Sequence, residues 1–384
     1  MPSRTTIQAF LATARTALTT PAAQRSGPLT FVVGNESADL DSLCSALVFA
    51  YIRSNSPPHT LHIPLSNLPR EDLALRNEMT AVLNYVGLSP SQLLTLSELP
   101  DLDPDDTRWL LVDHNCLTGP LKKFAGRIVG CIDHHADEFS VSQDAELRVV
   151  EPCGSCMSLI VDECRAAWDA LSRDNNAAGL EEDEKLAKIG LASIMSDTIN
   201  LTAKEKVRPK DPLAVSYLEA KIQDPGFDRD KYFDDISAVK EDISSLSFRD
   251  IFRKDYKEWD GSSLKLGISC SVQGFEYLVS KAGGEQQLAD DFESWAKERE
   301  LDVGAIMTTS HPEGEFRRHL LVWGLTNEGS KAVERFRKSG EKLQLEKWKD
   351  GALDGENRFA WRQYNLASSR KQVAPLLREA LKKD

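Results

Sequence analysis

Three short apolar runs, each stopping abruptly at a cluster of acids, amides or histidines, constrain this chain more than any other feature. Leu29–Gly34 (LTFVVG) runs into Asn35-Glu36-Ser37-Ala38-Asp39-Leu40-Asp41-Ser42, Trp109–Val112 (WLLV) into Asp113-His114-Asn115, and Arg127–Ile132 (RIVGCI) into Asp133-His134-His135. Short runs of this kind, β-branched and bounded by turn formers, read as buried parallel strands. Helical patterns lie between them, at Leu43–Arg53 and Arg70–Val86. Alternating strand and helix implies an α/β domain with a doubly wound, mostly parallel sheet. Ligands of such sheets sit beyond the carboxyl ends of the strands. All three polar clusters fall there, so the topology alone predicts that they converge. A fourth cluster, Ser196-Asp197-Thr198, closes a helical pattern over Leu186–Met195.

The pattern weakens between Lys204 and Tyr232 into Lys, Asp, Pro and Gly (KEKVRPKDP, QDPGFDRDK), which sets an expected boundary between a domain over 1–230 and another over 231–384. In the second, 263–272, 303–309 and 318–323 read as strands, and 274–300, 329–338 and 370–382 as helices, giving a smaller α/β domain. At the other end, Ile7, Phe10, Leu11, Ala14 and Leu18 recur on one helical face. An acid-free, Arg- and Ser/Thr-containing N-terminus also resembles a transit peptide, but the periodicity favours a helix packed on the domain.

Charge narrows the partners. The chain of 384 residues carries a formal −13, which argues against non-specific binding to nucleic acid or anionic membranes. No run approaches the roughly 18 apolar residues of a membrane span. Seven cysteines do not make a disulfide scaffold, and a reducing, cytoplasmic location is expected, with the basic N-terminus leaving room for a minor mitochondrial pool. Within the acidic whole, residues 331–384 hold 14 Lys and Arg against 8 Asp and Glu. Carboxylates for cations and a basic end for an anion suit a metal-bound polyanion, although a solvated basic helix would have the same composition.

The residues poised at the strand ends are Asn35, Asp39, Asp41, Asp113, His134 and His135, with Asp197 after the helix. Four carboxylates in one pocket repel unless cations neutralise them. Mixed carboxylate and imidazole donors suit Mn²⁺ or Mg²⁺, and the absence of cysteine disfavours structural zinc. Two divalent cations are expected, since a carboxylate can bridge a pair and share its charge. Such a pair suits in-line phosphoryl displacement by hydroxide. Any one of these clusters is a weak signal. Asp-x-Asp often lies on solvated loops and His-His is commonly structural; position after an apolar strand is what lifts them.

Asp133-His134-His135 after its strand resembles the signature of the DHH phosphoesterase superfamily, and Asn35–Ser42, Val112–Asn115 and Ser196–Thr198 resemble its other motifs, in order. GNESADLDS with PREDLALR (Pro69–Arg76) is similar to the eukaryotic cytosolic exopolyphosphatase branch. Ser368-Ser369-Arg370-Lys371-Gln372 resembles the substrate-binding motif of the DHH-associated C-terminal domain, shared with prune-type proteins and family II inorganic pyrophosphatases. The resemblance implies an active site in the interdomain cleft. It implies that Asp113 bridges two metals, that Asp39 with Asn35 beside it holds one, and that Asp41, His134 and Asp197 hold the other. It also implies that His135 contacts substrate or assists the leaving group, and that Ser369, Arg370, Lys371 and Lys257 bind its phosphates. Superfamily members often carry His where this chain has Asn35; as an oxygen ligand the amide would weaken the preference for Mn²⁺ and allow good activity with Mg²⁺, or it would only hydrogen-bond a metal-bound water.

The expected function is therefore that of an exopolyphosphatase, a monomer acting on inorganic polyphosphate by two-metal, in-line hydroxide attack. Alternatives are a family II pyrophosphatase, a prune-like short-chain polyphosphatase or cyclic nucleotide phosphodiesterase, and, less favoured, a non-enzymatic polyphosphate-binding protein. Cys153-Gly154-Ser155-Cys156 lacks a second pair to complete a zinc site and reads as the approach to a helix. His59, His62, His311 and His319 read as structural or surface residues, although His311 and Arg317 or Arg318 near strand ends could touch substrate.

Overall fold

Six parallel strands carry the motif residues: β1 (Leu29–Val33), β2 (His62–Ser66), β3 (Leu94–Thr95), β4 (Thr107–Val112), β5 (Ile128–Asp133) and β6 (Leu147–Val150). They lie in the order β3-β2-β1-β4-β5-β6, with every neighbouring pair parallel. The chain first builds outward from β1 on one side and then, from β4, on the other. Strand order thus reverses between β1 and β4, the switch point where sheets of this kind bind their ligands beyond the carboxyl ends of the strands. Asn35 follows β1 and Asp113 follows β4, so the first two motifs flank that switch point. The computed structural model describes residues 4–173, 177–260 and 264–382. They fall into two compact units, Met1–Val239 and Lys240–Asp384.

In the first unit the helices are α1 (Ile7–Thr19), α2 (Leu40–Asn55), α3 (Arg70–Leu73), α4 (Asn77–Tyr85), α5 (Cys156–Ser172), α6 (Ala177–Thr198), α7 (Lys210–Glu219) and α8 (Arg229–Glu241). Successive strand residues alternate between two cores, as a period of two requires. Val32, Leu110, Val112 and Ile132 pack with α2, α4, α5 and α6. Phe31, Val33, Trp109 and Leu111 pack on the opposite face, where Trp109 stacks between Phe31 at 4.5 Å and Phe124 at 4.7 Å. Helix α1 buries Ile7, Phe10, Leu11, Ala14 and Leu18, the face read from its periodicity. The helix expected over Arg70–Val86 is instead two, broken at Ala74–Arg76, where the Arg76 guanidinium turns to donate to the Ser37 carbonyl.

The second unit has its own sheet of β7 (Tyr256–Asp260), β8 (Lys265–Ser271), β9 (Val303–Ser310), β10 (Arg317–Gly324), β11 (Leu345–Lys347) and β12 (Arg358–Gln363), in the order β11-β12-β10-β9-β8-β7. Only β8 and β9 run parallel. Ser263, the expected start of β8, lies outside the described residues. Helices α9 (Phe248–Lys254), α10 (Phe275–Ala282) and α11 (Glu285–Glu298) pack one face; α12 (Asn327–Ser339) and α13 (Arg370–Leu381) cover the other. The single helix expected over 274–300 is broken by Gly283 and Gly284, at φ 90° and 150°, conformations that favour glycine. Among the described residues, no helix is long and apolar enough to cross a membrane.

Candidate metal centre

The first motif turn is tight because Gly34 lacks a side chain: a Cβ there would lie 2.6 Å from the Cβ of Ser42. This closeness lets Ser42 Oγ accept from Asn35 N at 3.1 Å and donate to Asp113 Oδ2 at 2.7 Å. Asp39 caps α2, accepting from Ser42 N at 3.0 Å, and Asp41 follows in the first turn. Both carboxylates are thus placed by the start of one helix, where the dipole favours negative charge.

Asp113 leaves β4 in the left-handed region at φ 61°, unusual for a residue with a side chain. Its N–H reaches Ile132 O at 3.0 Å and Cys156 Sγ at 3.2 Å, which fixes that turn. Asn35 Nδ2 donates to Asp113 Oδ2 at 2.8 Å and to its backbone oxygen at 3.0 Å. Asn35 Oδ1 meanwhile accepts from Ser37 N and Oγ, at 2.9 and 2.6 Å. The amide here supports the Asp113 carboxylate by direct hydrogen bonding, which is neither the metal ligation nor the contact to a metal-bound water expected from sequence.

His134 Nε2 stands 3.1 Å from Asp113 Oδ1 and 3.7 Å from Asp41 Oδ2. Its Nδ1 lies 3.0 Å from Cys153 O, a contact that puts the proton on Nδ1 and leaves Nε2 as the donor atom of the neutral ring. Asp41, His134 and Asp197 bring ligand atoms within 4.8 Å of one another, and so do Asp113, His134 and His135. This donor set fits one or more divalent cations, with imidazole and carboxylate mixed as Mn²⁺ and Mg²⁺ accept. The electrostatics agree: burial, then the charges of Asp41 and Asp39, push the Asp113 carboxyl up to about 7. A cation removes that penalty.

His135 is held differently. Its Nδ1 is 2.7 Å from Asp133 Oδ1, which also accepts from His135 N at 3.2 Å. Burial opposes ionisation of Asp133, but His135, then Asn115 at 2.6 Å and His134, hold it below the usual carboxylate range. A buried anion that orients the ring and stabilises its protonated form equips His135 for proton transfer. His114 points away, with Nδ1 on Val112 O at 3.0 Å.

Of the cationic candidates, Arg370 opens α13 and lies 2.7 Å from Asp255 Oδ1, while Ser369 caps that helix through Lys371 N and Gln372. Arg370, Arg318 and Lys257 all act electrostatically on the Cys270 thiol, which groups these three cations at one end of the second sheet. Of the other candidates, His319 is buried and stacked on Phe275 at 5.0 Å, and His311 lies 3.7 Å from Glu241.

Several contributors carry no sequence signature. Ser193 Oγ donates to Asp41 Oδ1 at 2.6 Å, and Ser155 Oγ at 2.8 Å. Ser193 precedes Asp197 by one helical turn, so its place within an apolar stretch is the one available hint.

Residues 30–194 match the model of the DHH family, N-terminal domain, and residues 234–380 match the DHHA2 domain. A Schizosaccharomyces pombe protein named as a candidate exopolyphosphatase is 32% identical over 359 residues, 92% of this chain and 91% of its own. Human exopolyphosphatase PRUNE1 is 28% identical over 372 residues, 94% of this chain and 77% of its own. A crystal structure from Methanococcus jannaschii, described as a candidate family II inorganic pyrophosphatase, shares the fold, with TM-score 0.60 and 20% identity over 92% of this chain and 99% of that one.

Proposed function

Because the chain belongs to the DHH family, carrying its N-terminal domain followed by a DHHA2 domain, we propose that it is a metal-dependent phosphoanhydride hydrolase that releases orthophosphate from the end of inorganic polyphosphate. The observation that carries this reading is a pair of triads sharing His134, one of Asp41, His134 and Asp197 and one of Asp113, His134 and His135, each with its ligand atoms within 4.8 Å of one another. Asp41, His134 and Asp197 would hold one divalent cation, Mg²⁺ or Mn²⁺, and Asp39 a second with Asn35 beside it, Asp113 being common to both. Such a pair would supply charge neutralisation and a nucleophilic water at neutral pH.

The remaining steps belong to the side chains. Ser42 and Asn35 fix the rotamer of Asp113, so its outer oxygen keeps one direction. His135, charged and oriented by Asp133, is the group to protonate the leaving phosphate oxygen through its second ring nitrogen. Ser369, Arg370, Lys371 and Lys257 bind the phosphates of the chain, and Asp255 sets the Arg370 guanidinium in place. The similarity to the S. pombe protein, over 92% of this chain and 91% of that one, supports polyphosphate over pyrophosphate.

The test is orthophosphate release from long-chain polyphosphate and from pyrophosphate, each with Mg²⁺ and with Mn²⁺. Rapid release from the long chain with pyrophosphate intact is expected. Pyrophosphate as the better substrate would overturn the polyphosphate assignment and leave the hydrolase; release from neither would overturn both.

A further inference from the structure

We propose that Asp211, which lies outside every motif of the site, is a positioning residue that sets the geometry of the metal ligands through the turn Cys153–Cys156. The inference rests on the metal-centre reading above. Asp211 sits in the first turn of α7 and is fully buried. Its Oδ2 accepts from Gly154 N at 3.0 Å and Arg208 N at 2.7 Å, and its Oδ1 from Ser155 N at 3.3 Å and Cys153 Sγ at 3.2 Å. A side chain serving only its own helix would take its donors locally. Here three of the four come from a turn more than fifty residues earlier.

That turn touches three of the ligands directly. Cys153 O accepts from His134 Nδ1, which selects the tautomer and the ring plane. Ser155 Oγ, Cys156 N and Met157 N donate to Asp41 at 2.8, 2.7 and 3.1 Å. Cys156 Sγ accepts from Asp113 N at 3.2 Å. The turn is also wedged against the end of α6: a Cβ on Gly154 would meet Asp211 Oδ2 at 2.5 Å and Thr198 Cγ2 at 2.7 Å, and Thr198 directly follows Asp197. One buried carboxylate thus fixes the element on which His134, Asp41 and Asp113 all lean. Partners of this kind fix ligand orientation and tune metal affinity.

The experiment is an Mn²⁺ titration of EDTA-stripped full-length protein, read as free Mn²⁺ by electron paramagnetic resonance. Wild type, Asp211→Asn and Leu83→Ala are compared, Leu83 being a buried apolar residue of α4 that makes none of the contacts named above. Asn keeps the shape but turns an amide NH₂ toward N–H donors. Mn²⁺ affinity is expected to fall roughly 10- to 100-fold in D211N, whereas L83A melts at lower temperature and binds as wild type does. Wild-type affinity in D211N would overturn the proposal, as would a loss in L83A that follows its lowered melting temperature. Should D211N not fold, Gly154→Ala, which forces the turn off an intact Asp211, carries the same expectation and the same refutation. A wild type that binds no Mn²⁺ would instead overturn the metal-centre reading on which the inference rests.

Discussion

Replacing Asp113 by Asn should stabilise the cation-free protein while abolishing its turnover. Asp113 is buried beside Asp41 and Asp39, and its carboxyl titrates near 7 in the folded chain against an ordinary 3.8. A folded pKa above the unfolded one means that the native state binds more protons between those values, so stability falls as pH rises through that window. Above it the full penalty is present, about 4 kcal/mol as a ceiling; at pH 5 it is about 1.5 kcal/mol. The amide oxygen can still accept from Ser42 and Asn35, and its NH₂ can donate to His134 Nε2, which in the wild type faces a carboxylate at 3.1 Å. A gain of about 2–4 kcal/mol at pH 7.5 is therefore expected, or about 4–16 °C in melting temperature for a unit of this size. Differential scanning calorimetry in EDTA at pH 7.5 and pH 5 measures it. Saturating Mn²⁺ should reverse the order, since only the wild type gains the full stabilisation of binding. An N variant less stable than wild type in EDTA at pH 7.5, or a gain that does not shrink at pH 5, would refute the reasoning.

Further outcomes follow from other sites. His62 on β2 is held at about 4, chiefly by burial and also by Arg53 and Arg108 against a hydrogen bond to Thr60 O. The unfolded chain takes up that proton first as pH falls from 6.5 toward 4, so about 3 kcal/mol of stability is lost across that window; an NMR titration midpoint for His62 near 6.5 would contradict this. Arg370→Ala should raise KM for polyphosphate at least about tenfold, a loss of about 1.4 kcal/mol of binding, with a smaller fall in kcat. Arg370→Lys should recover only part of it, because an ammonium lacks the planar fork; steady-state kinetics showing an unchanged KM in R370A would remove Arg370 from substrate binding.

Much of the first sheet is legible because its strands obey one rule. β1, β4 and β5 are buried on both faces and therefore read as unbroken apolar runs. β2 breaks that rule with Pro64 in mid-strand, and β6 (LRVV) is half-buried and only four residues long, so neither announces itself. The helix breaks at Ala74–Arg76 and Gly283-Gly284 were hidden for opposite reasons. The first is imposed by a distant contact, Arg76 to Ser37, whereas the second is local glycine chemistry inside an otherwise continuous apolar pattern. At the site, charged residues at strand ends were readable one by one. Their supports were not: Ser155, Ser193 and Asp211 reach Asp41 and the Cys153–Cys156 turn from positions 114, 152 and more than fifty residues away in sequence. Periodicity finds faces, and only the folded chain shows which polar atom meets which.

Asp41 and Asp113 show what those supports decide. Both carboxylates are almost wholly buried. Asp41, however, accepts from Ser193 Oγ, Cys156 N, Ser155 Oγ and Met157 N between 2.6 and 3.1 Å, two of these being amides at the N-terminus of α5. Its charge is satisfied by the protein itself. Asp113 has two side-chain donors on one oxygen, while the other faces His134 Nε2 at 3.1 Å, and burial with the charges of Asp41 and Asp39 still pushes its carboxyl up to about 7. That leaves more of its charge for a cation to neutralise. The same substitution should therefore act in opposite directions at the two positions. Asp41→Asn can keep its oxygen on the three donors that Oδ1 serves but turns an NH₂ toward Cys156 N, and a buried N–H left without an acceptor costs about 1–3 kcal/mol, so cation-free D41N should lose about that much where D113N gains. Urea denaturation in EDTA at pH 7.5 reads both. If D41N proved as stable as wild type, the four donors would not be holding a charge, and Asp41 too would depend on the metal.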